Sequence, residues 1–383
     1  MGGLSSSKSA LTWAVHLSAA ALVILWLFPT VGLFVSSFRT ADQISSSGWW
    51  GAMFSAEVNE RLRAADPDDT RTADGSGFVV EGNIFEEAGS KEIVSWGTSS
   101  RDITAFGAGD TADLGDGESF TLQSDGTYAW RGDDEQISGR GQRVFVTTAS
   151  PPEFTLENYE NILLEGNNSA SMTKAFFNTL TVTIPATIIP IVIAAFAAYA
   201  LAWMQFPGRA LLIAAVVGLL VVPLQLALIP LLKLHLGIGI GKGYLGVWLA
   251  HTGFGLPLAI YLLRNYMAGL PRDIIENARV DGATDFQIFV KIILPLSFPA
   301  LASFAIFQFL WTWNDLLVAL VFLIDATGQT TVMTKQIVEL LGTRGGNWEI
   351  LATAAFVTII VPLIVFFALQ KYLVRGLLAG SVK

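Results

Sequence analysis

Six long, charge-poor apolar runs dominate the chain, at about 11–37, 175–202, 209–232, 243–266, 298–323 and 349–371. Each reaches the length of about 20 residues that a helix needs to cross the hydrocarbon core. The first is too long for the apolar centre of a cleavable signal, and Lys8 alone is a weak basic flank. It reads as a retained span. Between the first and second runs the pattern changes. Short stretches at 78–85, 92–96, 119–123, 127–131 and 144–148 are separated by glycine-rich turns, which predicts antiparallel strands. Asp125-Gly126 carries the signal of a two-residue hairpin. Residues 48–70 read as a helical or irregular lead-in, and 154–166 as an amphipathic helix at the outer membrane face. The predicted fold is an all-α polytopic membrane protein of six transmembrane helices with an inserted, extracytoplasmic, mainly β domain. Its parts are 1–37 (N-terminus and first span), 38–174 (the insert, β-rich over about 78–150) and 175–383 (a five-span core).

A polar module at 271–297 interrupts the apolar runs. Pro271 suits a first helical turn, Asp273 complements the positive helix N-terminus, and Gly282 supplies a left-handed stop. Thr284 with Gln287 three residues later makes a capping box for a second helix. Phe286, Phe289, Val290 and Ile293 fall on one face of it, and Pro295 and Pro299 mark the return to the bilayer. A helix–glycine–helix elbow outside the membrane is a shape for docking onto another protein.

Charge sharpens this division. Residues 38–174 hold 24 acidic and 10 basic side chains, net −14, while the rest of the chain is net +5 within a total of −9. The acidity belongs to the insert. Mean hydropathy is +0.53, and the absence of cysteine excludes disulfides, thiolate metal sites and a cysteine nucleophile. With both termini in the cytoplasm, inside segments hold nine basic residues, among them Arg264, Arg272, Arg279, Lys291 and Arg375. The short outside loops hold four: Lys233, Lys242, Lys335 and Arg344. The positive-inside rule therefore places the elbow inside and the insert outside. The insert reads either as a solubilising element or as a docking surface for an extracytoplasmic partner.

The elbow sequence ENARVDGATDFQIFVKIILP (276–295) resembles the signature EAA-x3-G-x9-I-x-LP of binding-protein-dependent ABC importer permeases. Glu276, Ala278, Gly282, Ile292, Leu294 and Pro295 stand at those spacings, with Asn277 in place of the middle alanine. Asp281 and Ala283 complete the DGA core common in the sugar-importing branch. Further segments resemble the carbohydrate (maltose/α-glucoside) type: SFRTADQISSSGWW (37–50), ENYENIL (157–163), FFNTLTV (176–182), WTWNDLLVAL (311–320) and the tail QKYLVRGLLAGSVK (370–383). A large insert after the first span is similar to that of α-glucoside permeases, which implies sucrose, maltose or trehalose as cargo without choosing among them.

The resemblance implies that 271–297 is a coupling helix seated in a groove of an ATP-binding subunit. It implies four kinds of partner: a second homologous permease, an ATPase pair, an extracytoplasmic sugar-binding protein and the bilayer of the bacterial inner membrane. No nucleic acid is among them. The tail at 371–383 belongs to the cytoplasmic side, where Arg375 and Lys383 either reach the ATPase or serve as inside anchors.

The chain itself is not expected to be an enzyme, nor to bind a cofactor or metal. HLGIGIGKGYLG (235–246) fails as a phosphate loop, with Leu236 where a glycine is needed and Gly243 where Ser or Thr is needed. ATP and its magnesium are expected on the partner ATPase. Intramembrane polar groups are costly and are often functional. Gln308, Trp311, Trp313, Asn314 and Asp315 in the fifth run suit a carbohydrate path, and equally suit interhelical packing. His251 and Thr252 in the fourth run, Gln225 in the third and Asn178 at the start of the second are further intramembrane polar groups. In the 325–347 loop, Thr343, Arg344 and Gly345 form a tip that the resemblance assigns to contact with the binding protein. Rival readings are an importer for another solute class and an ion-coupled secondary transporter. The second would need several buried ionisable groups, and Asp315 and His251 are the main candidates.

Overall fold

The computed structural model describes residues 4–75, 77–85, 91–164, 171–324, 326–343 and 347–379. The chain divides into two compact units, Met1–Leu156 and Glu157–Lys383.

The first unit begins with α1 (Leu4–Ser36), whose large apolar side chains, from Leu11 to Phe34, are mostly exposed. Short helical turns follow at α2 (Ala41–Ser46), Trp49–Gly51 and α3 (Pro67–Thr70). The remainder is β structure: β1 (Ala56–Arg63), β2 (Thr72–Asp74), β3 (Gly77–Asn83), β4 (Glu92–Gly97), β5 (Phe106–Gly107), β6 (Thr111–Gly115), β7 (Glu118–Leu122), β8 (Thr127–Gly132) and β9 (Arg143–Ser150). They form antiparallel sheets of order β1-β9-β4-β5 and β2-β3-β8-β7-β6. Period-2 alternation drives the packing, since Phe120 and Leu122, Tyr128 and Trp130, and Val144 and Val146 all point into one core. Trp96 sits at its centre, 5.6 Å from Phe120 of the other sheet, and its indole donates to the Gly107 carbonyl (3.0 Å).

All five predicted strands exist, and the lead-in is corrected. Residues 56–63 form a strand, which the sequence hid because AEVNERLR alternates charged with only half-buried apolar positions. That pattern suits β1 as an edge strand, where charge discourages further pairing. The hairpin is corrected as well. At Asp125-Gly126 only Gly126 has positive φ (+86°), its N–H donates to Gln123 O (3.1 Å), and Gln123 N–H donates to Thr127 O (2.8 Å). This is a three-residue loop ending in a glycine bulge. The two-residue turn with both residues at positive φ falls instead at Asp116-Gly117 (+52° and +87°). The Asp125 carboxylate accepts from the Thr127 hydroxyl and from its N–H (2.9 Å), which holds it below the usual carboxylate range.

Trp96→Ala is expected to cost the β unit about 3–5 kcal/mol, the range for a truncated core aromatic. Limited proteolysis of the full-length chain in detergent checks it, with new cleavage expected inside 56–150 and the second unit left intact.

The second unit starts with α4 (Glu157–Leu163) and α5 (Met172–Trp203), followed by α6 (Arg209–Leu219), α7 (Leu224–Gly237) and α8 (Tyr244–Ala268). Then come α9 (Arg272–Val280), α10 (Asp285–Ile288), a π-helical turn (Phe289–Ile293), α11 (Leu294–Leu296) and α12 (Phe298–Trp313). It ends with α13 (Leu317–Phe322), α14 (Met333–Thr343) and α15 (Trp348–Ala379). Among the described residues, four unbroken helices are long and apolar enough to span a membrane: 10–36, 172–203, 244–268 and 348–373. Two bent pairs raise the number to six if each is one span. The pair α6–α7 bends by 111°, so the predicted straight run 209–232 is two helices broken ahead of Pro223. The helical stretch at 285–296 meets α12 at 69°. Small residues let α5 and α8 pack closely, with Ala194, Ala195 and Ala198 in one cluster with Ala259 and Leu263.

Candidate functional site

The elbow is built by local chemistry. Pro271, at φ −59° and ψ 127°, sits one position ahead of α9 rather than inside its first turn. At the other end Gly282 adopts φ +82°. Its N–H donates to Arg279 O (3.0 Å), and the Ala283 N–H donates to Ala278 O (3.0 Å). These are the two bonds of a Schellman stop, which a left-handed residue makes possible. The capping box is present: Gln287 N–H donates to Thr284 Oγ1 (3.3 Å), and Thr284 N–H donates to Gln287 Oε1 (2.9 Å).

The elbow is pinned to the helices beneath it. Ile275, Ile288, Phe289 and Ile293 are buried among Tyr199, Leu263, Met267 and Phe304. The predicted apolar face is therefore corrected. Phe289 and Ile293 are buried as expected, but Phe286 is 64% and Val290 40% exposed, while Ile288 is fully buried. Phe286 and Val290, four residues apart, share the outward side, and a widened turn follows at Phe289–Ile293, where the Leu294 N–H bonds back five residues to Phe289 O. It lies just ahead of Pro295, which cannot donate and crowds the preceding turn.

What the elbow presents outward is distinctive. Glu276, Asn277, Asp281, Gly282 and Pro295 are exposed, while Ala278, Ala283, Ile292 and Leu294 are half-buried. Glu276 and Asp281 enter no salt bridge among the described residues. Arg279 pairs with Asp285 (3.1 Å) in a half-exposed bridge, and the Tyr199 hydroxyl donates to the same carboxylate (3.4 Å). Val280 (87% exposed) and Phe286 add an uncovered apolar edge.

The fifth-run residues do not form one site. α12 ends at Trp313, so Asn314 and Asp315 lie in a helix break rather than within a continuous span. Asn314 is exposed and donates to Leu310 O (2.9 Å), and the Asp315 carboxylate caps α13 by accepting from Val318 N–H (2.9 Å) and Ala319 N–H (3.3 Å). Trp313 is buried against Phe309 and Phe176, and its indole donates to Thr358 O (3.0 Å). It is part of the buried core. Gln308 and Trp311 alone share a recess, with His251.

The model of the binding-protein-dependent transport system inner membrane component matches residues 175–378. The alpha-glucoside transport system permease protein AglG of Rhizobium meliloti is 62% identical over 383 residues, covering 99% of both chains. The chain belongs to this family. The osmoprotective compounds uptake permease protein GgtD of Synechocystis is 54% identical over 266 residues, 69% of this chain and 88% of that one. The trehalose transport system permease protein SugB of Mycobacterium tuberculosis is 35% identical over 239 residues, 61% of this chain and 84% of that one. This permease is thus a transport component of the inner membrane, without catalytic activity of its own.

Two further regions of the permease hold predicted residues. The 325–347 segment holds an amphipathic helix, α14, where a loop is the sequence expectation. Thr343 is its last residue, and Arg344 and Gly345 lie outside the described residues. Ahead of α14, Asn178 donates to the carbonyls of Gln329 and Thr331 (both 2.9 Å) and accepts from the Tyr244 hydroxyl (2.8 Å). The elbow's anchors Ile275 and Ile288 and the Arg279–Asp285–Tyr199 contact escaped the sequence reading. Their only signal is apolar spacing within α9 and α10, which does not reveal a partner 86 residues away.

Proposed function

We propose that this chain is a transmembrane subunit of an ATP-driven α-glucoside importer. The observation that carries the reading is the elbow: a rigid turn on buried anchors, with unpaired carboxylates and an apolar edge facing outward. Glu276 and Asp281 bond basic or amide groups of a separate ATP-binding subunit, where ATP and its magnesium reside. The half-buried Ala278 and Ala283 close the turn, and Ile292, Leu294 and Pro295 pass its movement into α12. ATP-driven closure of the ATPase pair shifts the elbow and tips the helices outward, and hydrolysis resets them.

The second homologous permease completes the pathway, and an extracytoplasmic sugar-binding protein delivers cargo near the end of α14, around Thr343, Arg344 and Gly345. Both termini are cytoplasmic, the spans number six, and the β unit lies outside. The cargo is supported by the α-glucoside relative, whose alignment includes the insert. The relative named for osmoprotective compounds shares the core at 54% identity and supports a second cargo class.

Reconstitution with the neighbouring permease, ATPase and binding protein tests this. ATPase stimulation by sucrose, maltose or trehalose is expected. Stimulation by an unrelated solute class, with none by any α-glucoside, sinks the cargo assignment.

A further inference from the structure

Where α8 meets α12, a glycine makes room for an amide. A Cβ on Gly255 would lie 2.6 Å from Gln308 Oε1 and 2.9 Å from its Nε2, so only glycine lets this side chain lie between the helices. Gln308 is 2% exposed. Its Nε2 donates to Ala186 O (3.0 Å) and, more weakly, to His251 O (3.4 Å). Its Oε1 has no partner. His251, 6% exposed, repeats the situation: Nε2 is unpartnered and stands 3.8 Å from Asp315 Oδ2, beyond hydrogen-bond reach. Asp315 Oδ2 is itself engaged in capping α13.

Both side chains line a small recess of about 10 Å³, room for one water or one hydroxyl, together with Leu224, Phe254, Gly255 and Trp311. Trp311 lies one helical turn from Gln308 and is 47% exposed. A buried polar atom left unpaired costs about 1–3 kcal/mol, so two at one recess call for a ligand that supplies both partners. The donor set defines its class. Gln308 Oε1 requires an O–H or N–H donor, and a neutral His251 Nε2 exchanges a hydrogen bond with a hydroxyl in either sense. The indole offers a flat apolar face to the C–H side of a ring. An acyl chain leaves both polar atoms unpaired, and a lone water makes no use of the indole. One hydroxyl entering the recess from a polyhydroxylated ring that lies outside it, against the indole, satisfies all three.

We propose that this recess takes a hydroxyl of the sugar in transit, stacked on Trp311, so that this subunit itself discriminates among cargoes. The inference rests on the importer reading above and adds that this permease touches the solute.

The test uses the full assembly in liposomes at saturating sugar-loaded binding protein, so that selection by the binding protein is the same for every variant. Uptake of the α-glucoside that best stimulates the wild type is compared with uptake of its monodeoxy analogues. The wild type is expected to disfavour at least one analogue by about tenfold. Gln308→Met is expected to lose that discrimination. Trp311→Leu is expected to lower uptake of the parent sugar about tenfold, and Trp311→Phe to restore it to within about twofold. Equal loss of all sugars in every variant overturns the proposal, because it marks a packing role. Unchanged discrimination also overturns it, leaving an ordered water as the occupant. A wild type that no sugar drives removes the importer reading, and the inference with it, whereas sugar-driven transport with unaltered selectivity removes the inference alone.

Discussion

Replacing Gly282 by valine is expected to cut coupled uptake by well over tenfold while the chain still folds and inserts. A Cβ at Gly282 meets nothing within 4 Å, so the penalty is conformational and not steric crowding within this chain. At φ +82° an ordinary L-residue is disfavoured by about 1–2 kcal/mol, and a β-branched one by more. That strain opposes the Schellman bonds, from Gly282 N–H to Arg279 O and from Ala283 N–H to Ala278 O, that fix the angle of α9 to α10. One step of 1.4 kcal/mol is a factor of ten in the population of the coupled geometry. The expected order of uptake in the reconstituted assembly is therefore Gly, then Asn, then Ala, then Val, because asparagine tolerates the left-handed region. Asparagine behaving as badly as valine would remove backbone conformation as the cause and point to close approach by the partner.

The same position shows how much the sequence disclosed. Caps are local, and Gly282, Thr284 and Gln287 were legible because each acts on backbone groups within four residues. The long apolar helices were legible because a membrane demands them. Side-chain orientation around Phe289–Ile293 was not, since the cluster that buries Ile288 and Phe289 and leaves Phe286 and Val290 exposed is formed with distant helices. Nor was the 111° break before Pro223, where hydropathy runs on unchanged through Val221 and Val222. In the insert, the dipeptide Asp-Gly at 116–117 folds differently from that at 125–126, because the loop length between paired strands chooses the turn. β1 escaped notice because its pairing partner β9 lies about 90 residues away, and pairing is the only thing that makes it a strand. Trp313, Asn314 and Asp315 show the limit for function: neighbours in sequence, they serve as core, helix end and helix cap.

The exposed apolar edge of the elbow separates docking from folding most sharply. Val280 is 87% and Phe286 64% exposed, whereas Ile288 and Phe289 of the same elbow are buried. An exposed side chain contributes little to the stability of its own chain, typically within about 0.5 kcal/mol. Phe286→Ser is therefore expected to leave expression, membrane insertion and detergent melting unchanged. If the edge seats in the ATPase, the same change removes an aromatic anchor at the interface, about 2 kcal/mol or more, or roughly 30-fold in dissociation of the complex. Ile288→Ser is expected to behave in the opposite order. It opens the buried cluster around Met267 and Phe304, lowers the melting temperature, and loses the ATPase only because the elbow itself is released. Measuring melting of the isolated chain alongside pull-down of the ATPase gives the two outcomes independently. An unaltered pull-down with Phe286→Ser would show that the edge faces lipid headgroups instead, and would move the coupling contact onto the carboxylates Glu276 and Asp281.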